Sequence, residues 1–369
     1  MGCAPSTPNA RDVAYTMTRP VAPKARAPTF PAAHTEMANG VASSGAAGEW
    51  LSCSEDKTVA LVDWAAGRVV HSWRGHQKGV HRVVASPNGN VILSGSRDTT
   101  VRVWRRGQAE AALTLRGHEL SVMAVAVAED GQQALSGSRD CSLRHWDLAT
   151  GATKGRCHLE QNVVTCLKWV PGETSLVAQG SEDLRLRLWD VRTLSRPAAV
   201  LENEYVYFPL CCDCSGPYVL TGSNGFNSVG CELRLWDRRT LKQVHVLTGH
   251  DQAVTGCALL PDTALRPETG GGGRLLAASG CKDGEVRLWD GTADEPPCMQ
   301  VITTARSRPF PTDERARLYV SAASGAIYAL GIDDDATALT AVAIGSGGTV
   351  GDALAIGGGG TVGDARANG

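Results

Sequence analysis

Short apolar runs bounded by Gly, Asn, Asp or Ser recur along most of the chain. The stretch from Gly75 to His118 shows the unit most clearly, with runs at Val80 to Val84, Val91 to Leu93, Val101 to Trp104 and Leu113 to Leu115. Short β-branched runs between turn residues are typical of antiparallel strands. The pattern therefore predicts a repeated unit of four short strands.

Tryptophan ends the third predicted strand in one unit after another. The residues are Trp104, Trp146, Trp189, Trp236 and Trp289, at intervals of 42, 43, 47 and 53 residues. An Asp stands six residues before four of them, and a Gly-His pair opens three of the units. A period of about 40 residues with these markers resembles the WD-repeat family. The resemblance implies an all-β WD-repeat β-propeller, because a ring of sheets buries apolar faces that one four-stranded sheet leaves exposed.

The pattern favours a propeller of seven blades, with six as the alternative, over residues 33–342. Beyond Trp289 the markers fade, but Leu318 to Ser321, Ala326 to Leu330 and Ala338 to Ile344 can supply strands of a seventh blade. Residues 1–32 are rich in Pro and predict a disordered arm. Residues 343–369 are rich in Gly and repeat one short segment, which predicts a low-complexity, flexible tail.

In the WD-repeat family a turn Asp, a His, a Ser and the Trp indole form a chain of hydrogen bonds inside each blade. The resemblance places this chain at His76, Ser94, Asp98 and Trp104; at His118, Ser136, Asp140 and Trp146; and at His250, Ser279, Asp283 and Trp289. A catalytic triad is recognised by one particular geometry. Because this trio recurs beside Trp in three units, we interpret it as framework.

Several units depart from the repeat. Val62 stands where the first unit should have Trp, so its hydrogen-bonded chain is expected to be incomplete, and Glu160 stands where the fourth unit should have His. The fifth unit has a longer turn, Ser223 to Gly230, which is either a partner contact or a tolerated insertion. The sixth has a Gly-rich insertion, Leu265 to Gly273.

Composition excludes several classes of function. The 369 residues have 36 Lys and Arg against 38 Asp and Glu, so the net charge of −2 gives no global attraction to nucleic acid. No apolar run approaches the length that spans a bilayer. We find no phosphate-binding loop, unpaired nucleophile or metal cluster, and expect neither a cofactor nor a small-molecule substrate.

The 12 cysteines are scattered without the spacing of a disulfide scaffold, which indicates a reducing, intracellular compartment. Cys211, Cys212 and Cys214 contain a C-x-x-C motif, but no second ligand pair accompanies it. We therefore interpret these residues as small buried apolar side chains of a strand and not as a zinc site.

The first residues match a lipidation motif. Met1 to Ser6 fits the pattern for myristoylation of Gly2, and Cys3 is placed for palmitoylation. Two acyl chains would make membrane attachment stable. Two alternatives stay open: an organelle transit peptide, which shares the acid-poor, Ala- and Arg-containing composition, and a chance match. We expect a location on the cytoplasmic face of a membrane or a cilium, or otherwise in the cytosol.

Two stretches contain residues that the general WD repeat does not require. Asn162 to Pro171, followed by Leu186 to Asp190, resembles the fourth repeat of the WD repeat-containing protein 31 family, and Ser223 to Phe226 resembles its long turn. The resemblance covers roughly residues 33–330. It implies a seven-bladed propeller and an association with cilia, ciliary cargo and regulators of Arf-family GTPases.

The leading hypothesis is a non-enzymatic scaffold that holds partner proteins on the propeller rim. Side chains just before each turn Asp are expected on the top surface around the central channel. These candidate contacts are Glu55, Arg97, Arg139, Glu182 and Lys282. The alternative is a substrate receptor of a cullin-type ubiquitin ligase, since Arg192 and Arg239 resemble the adaptor-binding arginine of a Trp-Asp-x-Arg box.

Overall fold

The computed structural model describes most of the repeated region. It covers residues 33–46, 49–63, 66, 68–160, 162–201, 206–261, 275–282, 285–291 and 298–303, and the strands at 317–322, 327–332, 339–344 and 354–358. The predicted arm with Gly2 and Cys3, the predicted insertion at Leu265 to Gly273, and Asp283 lie outside the described residues.

The first six sheets each consist of four consecutive antiparallel strands, which we call blades one to six. Blades one to three contain β1 (Ala38–Ser43), β2 (Glu49–Ser54), β3 (Val59–Asp63), β4 (Arg68–Trp73), β5 (Val80–Ala85), β6 (Ile92–Ser96), β7 (Val101–Trp104), β8 (Leu113–Leu115), β9 (Val122–Val127), β10 (Gln133–Ser138), β11 (Ser142–Asp147) and β12 (Thr153–His158). Blades four to six contain β13 (Val164–Trp169), β14 (Leu176–Ser181), β15 (Leu186–Asp190), β16 (Ala199–Leu201), β17 (Pro209–Ser215), β18 (Tyr218–Ser223), β19 (Leu233–Asp237), β20 (Lys242–Leu247), β21 (Val254–Pro261), β22 (Leu275–Cys281), β23 (Glu285–Asp290) and β24 (Cys298–Thr303). A short 3₁₀ helix, Val191–Thr193, follows β15.

A further four-stranded sheet is described by its backbone. Its strands are β25 (Arg317–Ala322), β26 (Ile327–Ile332), β27 (Leu339–Ile344) and β28 (Leu354–Gly358), in the order β27-β26-β25-β28. The first three correspond to the runs predicted for a seventh blade. β28 lies inside the segment 343–369 that the sequence analysis assigned to a flexible tail. Its backbone pairs with β25, from Leu354 opposite Ala322 to Gly358 opposite Leu318.

The apolar core lies between neighbouring sheets. Leu135 and Leu143 of blade three pack in one buried cluster with Val164 and Trp189 of blade four. In the same way, Trp146 of blade three packs in a cluster with apolar residues of blade two. Consecutive blades from one to six therefore bury apolar faces against each other, as the sequence pattern predicts.

The first strand of each blade lies on the inside of the ring. These inner strands, β1, β5, β9, β13, β17 and β21, contact one another in sequence, and β28 contacts both β21 and β1. Together they surround a central channel. The second, third and fourth strands of each blade follow outward from it.

Candidate functional site at the channel mouth

The same main-chain hydrogen bond places one residue of each of the six blades at one end of the channel. The N–H just after the second strand donates to a carbonyl oxygen just before the inner strand, over 2.9–3.0 Å. The donor and acceptor pairs are Glu55 and Met37, Arg97 and Gly79, Arg139 and Ser121, Glu182 and Val163, Asn224 and Phe208, and Lys282 and Ala253. Five of the donors are the predicted candidate contacts. Asn224 was missed because blade five lacks the turn Asp that marks the position elsewhere.

Beneath these turns, blades two and three contain complete hydrogen-bonded chains. In blade two, Trp104 Nε1–H donates to Ser94 Oγ over 2.8 Å, and the hydroxyl lies 2.8 Å from His76 Nε2. His76 Nδ1 lies 2.8 Å from Asp98 Oδ2. Blade three brings Trp146, Ser136, His118 and Asp140 together in the same way, over 2.8, 2.7 and 2.9 Å. The four groups are nearly enclosed, so they act on each other and on the turn, not on an external ligand.

The turn carboxylates are held in their ionised form. Burial acts to raise the pKa of Asp98, but hydrogen bonds from His76 and Thr100 outweigh it, so the pKa is well below its ordinary value. Asp140 has the same balance, with His118 and Ser142 as the donors. Each carboxylate is thus a permanent acceptor that fixes the turn next to the channel mouth.

Blade one also has such a chain, although Val62 replaces its Trp. His34 Nε2 lies 2.7 Å from Ser52 Oγ, and His34 Nδ1 lies 3.2 Å from Asp56 Oδ2. The chain therefore lacks only the indole, and its His, Ser and Asp members are joined as in blades two and three. The sequence spacing could have identified these residues. His34 precedes Ser52 by 18 residues and Asp56 by 22, and His76 precedes Ser94 and Asp98 by the same distances.

Blade four builds its support from other side chains. Glu160, which aligns with the missing His, is exposed. Buried Asn162 accepts from the main-chain N–H of Asp183 over 3.1 Å, and Arg187 Nη1–H donates to Asp183 Oδ1 over 3.1 Å. Trp189 donates its indole N–H to Gln179 Oε1 over 3.0 Å. Sequence reasoning missed Asn162, Arg187 and Gln179, because none of these residue types occupies these roles in the repeat pattern.

Blades five and six contain parts of the same hydrogen-bonded chain. Trp236 of blade five donates to Thr221 Oγ1 over 3.3 Å, a longer bond than in the other blades. In blade six, Ser279 Oγ lies 2.8 Å from His250 Nε2 and accepts from Trp289 over 2.9 Å. The predicted fourth member, Asp283, lies outside the described residues.

A cavity of about 400 Å³ opens at the channel mouth. Among its lining residues are three of the candidate contacts, Arg139, Glu182 and Lys282. Arg97 lies beside it and forms an ion pair with Glu55 over 3.4 Å. The wall is completed by one residue from each inner strand, two positions after the shared carbonyl. These wall residues are Asn39, His81, Met123, Thr165, Leu210 and Thr255.

Arg82 crosses the channel below the mouth. Its Nη2–H donates to the carbonyl oxygen of Leu210 over 3.3 Å, from blade two to blade five. Burial lowers the pKa of the neighbouring His81; Glu55 opposes this, while Arg82, Arg97 and Arg139 add to it. The imidazole is therefore neutral near pH 7, and the positive charge at the mouth belongs to arginine and lysine side chains.

The long turn of blade five presents apolar side chains to solvent. Phe226 and Val229 exchange main-chain hydrogen bonds of 3.0 and 3.1 Å, and the two residues are 59% and 54% exposed. The N–H of Ser228 donates to the carbonyl of Asp251 over 2.9 Å, and its hydroxyl donates to the Asp251 carboxylate. The turn is thus fixed to blade six in a defined conformation.

The two candidate ligase-adaptor contacts lie at the opposite end of the blades. Arg192 and Arg239 follow the third strands of blades four and five, which begin at the channel-mouth turns and run away from them. Each guanidinium pairs with the carboxylate of its own Trp-Asp sequence, Asp190 at 2.6 Å and Asp237 at 2.9 Å. Both arginine side chains are exposed, at 73% and 64%.

The C-x-x-C cysteines lie on inner strand β17. Cys211 and Cys214 are buried and Cys212 is partly buried, and all three are free thiols. Within the described ranges, no group of His, Cys, Asp and Glu side chains is arranged to hold a metal ion. Asp213 instead links three inner strands, since it lies 2.7 Å from Lys168 Nζ and accepts from the N–H of Leu259 over 2.8 Å.

Comparison with known proteins agrees with this geometry. The model of the WD domain, G-beta repeat family matches residues 67–105, 110–147, 152–190 and 241–290. These segments contain the third strands of blades two, three, four and six, and with them Trp104, Trp146, Trp189 and Trp289. The protein is therefore an all-β WD-repeat β-propeller. No helix in the described part of the chain has the length and apolar character needed to cross a membrane.

Individual proteins match part of the chain. A segment of 151 residues is 30% identical to Coronin-7 of Bos taurus and covers 37% of this chain and 14% of that protein. A segment of 138 residues is 31% identical to Coronin-7 of Rattus norvegicus and covers 34% of this chain and 13% of that protein. The similarity thus supports the repeat, and it extends over a small fraction of these relatives' own length.

Proposed function

We propose that this protein is a non-enzymatic scaffold that binds partner proteins at the channel mouth. One observation carries the proposal: a single main-chain hydrogen bond is repeated in six blades and presents Glu, Arg, Asn or Lys at the same position. Since the backbone supplies the position, the side chains can be selected for binding. A rigid framework with varied exposed residues is the usual basis of a specific binding surface.

Site-specific photocrosslinking tests this function. A photoreactive amino acid at Glu182, on the channel mouth, is compared with one at Lys242, which is exposed at the opposite end of blade five. We expect discrete protein adducts from position 182 that are absent from position 242. Adducts of the same kind from both positions, or none from position 182, would contradict a partner site at the channel mouth.

We further propose attachment of this scaffold to a membrane through acylation of Gly2 and Cys3, with a role in ciliary trafficking or in regulation of small GTPases. The Met-Gly-Cys start and the resemblance to the WD repeat-containing protein 31 family support this. Localisation of a C-terminally tagged protein tests it. Gly2→Ala and Cys3→Ser should each move a membrane-bound wild type to the cytosol, whereas import with removal of the arm would identify a transit peptide.

We also infer a ring of seven blades. The support is the sheet β27-β26-β25-β28 and the contacts of β28 with both β21 and β1. Deletion of residues 354–358 would leave one position of the inner ring empty, so we expect it to lower the urea midpoint of unfolding. A deletion that leaves the midpoint unchanged would favour six blades.

The second candidate function is a substrate receptor of a cullin-type ubiquitin ligase. Arg192 and Arg239 are exposed at the end of the blades away from the channel mouth, so an adaptor there would leave the mouth free for a substrate. A pull-down with the ligase adaptor should succeed with the wild type and fail with Arg192→Ala plus Arg239→Ala. No binding by the intact protein would exclude this function.

A further inference from the structure

The charge of the channel mouth differs from that of the whole protein. The chain has a net charge of −2, yet the cavity wall contains the cations Arg82, Arg139 and Lys282 against the single carboxylate of Glu182. In the described part of the chain, neither Arg139 nor Lys282 forms an ion pair. Cations grouped around one concave mouth attract a carboxylate more strongly than the same charges spread over a flat surface.

The other residues of the cavity wall are suited to contact a side chain of a peptide. Met123, Val163, Phe208 and Leu210 supply apolar surface, and the hydroxyl of Thr255 adds a hydrogen-bonding group. A binding pocket typically combines apolar lining with a few polar groups that orient the ligand. A side chain with a carboxylate at its end and methylene groups behind it satisfies both parts of this wall.

The exposed turn of blade five is adjacent to the Lys282 side of the cavity. Lys282 bonds to Ala253, and the preceding residue, Gln252, pairs with Phe226 through a main-chain bridge. The turn itself starts at Asn224, which bonds to Phe208 of the cavity wall. An apolar surface at Phe226 and Val229 is thus continuous with the basic cavity, and its main-chain bonds hold it ready for a partner at little entropic cost.

We propose that the channel mouth binds an extended segment of a partner protein that carries an Asp or Glu side chain followed by a large apolar side chain. The carboxylate enters the cavity between Arg139 and Lys282, with Arg82 below it. The apolar side chain packs on Phe226 and Val229. This proposal rests on the proposed scaffold function and specifies the chemistry of its ligand.

Selection from a random linear peptide library displayed on phage tests the proposal. The full-length protein should enrich an acidic residue at one position and a large apolar residue at a constant spacing from it. The consensus peptide, fluorescently labelled, is then titrated by anisotropy. We expect Arg139→Glu plus Lys282→Glu to weaken binding roughly 30-fold, and Phe226→Ser plus Val229→Ser to weaken it roughly 10-fold.

A charge exchange separates recognition from misfolding. A peptide in which Lys replaces the acidic residue should bind the Arg139→Glu plus Lys282→Glu variant more tightly than it binds the wild type. The matched control, Arg68→Glu plus Lys242→Glu, reverses two exposed cations at the other end of the blades and should leave the affinity unchanged. All variants are compared by far-UV circular dichroism and urea midpoint.

Three results would overturn the proposal: enrichment of no peptide, enrichment without an acidic position, or equal affinity of the wild type and the charge-reversed variant. The scaffold function fails separately, when photocrosslinks from position 182 are absent. Adducts at position 182 together with peptides that lack an acidic residue would therefore retain the scaffold and reject the acidic ligand.

Discussion

Blades three and four are neighbours that support the same turn with different chemistry. In blade three His118 lies between Ser136 and Asp140, whereas blade four has no such His and uses Asn162 and Arg187. Nevertheless, their turn residues donate the same main-chain hydrogen bond, over 2.9 and 3.0 Å. The two blades therefore share the position of the turn, and more than one set of polar side chains can stabilise it.

The two blades differ in how deeply they bury their charge. The side chains of His118 and Asp140 are 1% and 5% exposed, whereas those of Arg187 and Asp183 are 10% and 29% exposed. Removing one partner of an enclosed pair leaves the other without a hydrogen bond that water could replace, which costs more than the same change near solvent. Blade three should therefore be more sensitive to substitution than blade four.

The largest effect is expected for His118→Ala. The change removes a hydrogen bond to the enclosed Asp140 carboxylate and should lower the free energy of unfolding by about 3 kcal/mol, because the acceptor is charged and buried. Urea unfolding followed by far-UV circular dichroism measures the loss. His158→Ala, at an exposed position of the same blade, is the matched control. Equal losses of unfolding free energy for the two variants would show that burial of the His118 site does not determine the effect.

A pH series sharpens the comparison through Asp140→Asn. Hydrogen bonds hold the folded-state pKa of Asp140 below its unfolded value of about 3.9, so the ionised carboxylate stabilises the fold above that pH. The variant should be about 2 kcal/mol less stable than the wild type near pH 7. The difference should shrink as pH falls below about 4 and through the folded-state pKa, because the wild type loses the same interaction. A pH-independent difference would contradict this assignment.

Asn162→Ala makes the corresponding change in blade four. It removes hydrogen bonds to neutral groups, the Ser181 hydroxyl and the main-chain N–H of Asp183. We expect a loss of about 1 kcal/mol in the same urea measurement, since Arg187 still pairs with Asp183. A loss as large as that of His118→Ala would mean that Asn162 replaces the His energetically as well as in position.

The smallest effect is expected for the indole of blade five. Trp236→Phe removes a hydrogen bond of 3.3 Å to Thr221, whereas Trp104→Phe removes one of 2.8 Å to Ser94. We expect losses of roughly 0.5 and 1 kcal/mol in urea unfolding, respectively. A larger loss for Trp236→Phe than for Trp104→Phe would show that bond length does not determine the contribution of the indole to stability.

The regular blades could be predicted from sequence because their markers are local and periodic. The 18- and 22-residue spacings from His76 were sufficient to locate its partners, and the same spacings identify His34. The chain in blade one was nevertheless expected to be incomplete, because the prediction depended on the missing Trp. The replacement by Asn162 could not be predicted, since its contact with Asp183 depends on how one irregular loop folds.

Contacts between distant blades could not be predicted from the sequence either. Arg82 and Leu210 are 128 residues apart and meet only because the ring brings blades two and five to the same channel. The position of the blade-five turn likewise depends on Asp251 of the next blade. Candidate contacts such as Arg139 could be located by their place before the turn Asp. The shape of the cavity that they line follows from closure of the ring.

The repeated main-chain hydrogen bond at the channel mouth has a consequence for how such a protein acquires new partners. The bond uses only backbone atoms, so a substitution at Arg139, Glu182 or Lys282 leaves it intact. Exposed substitutions of this kind usually change stability by less than about 0.5 kcal/mol. Mutations here can therefore alter ligand preference almost independently of folding, so that natural selection can test new specificities one residue at a time while the framework persists.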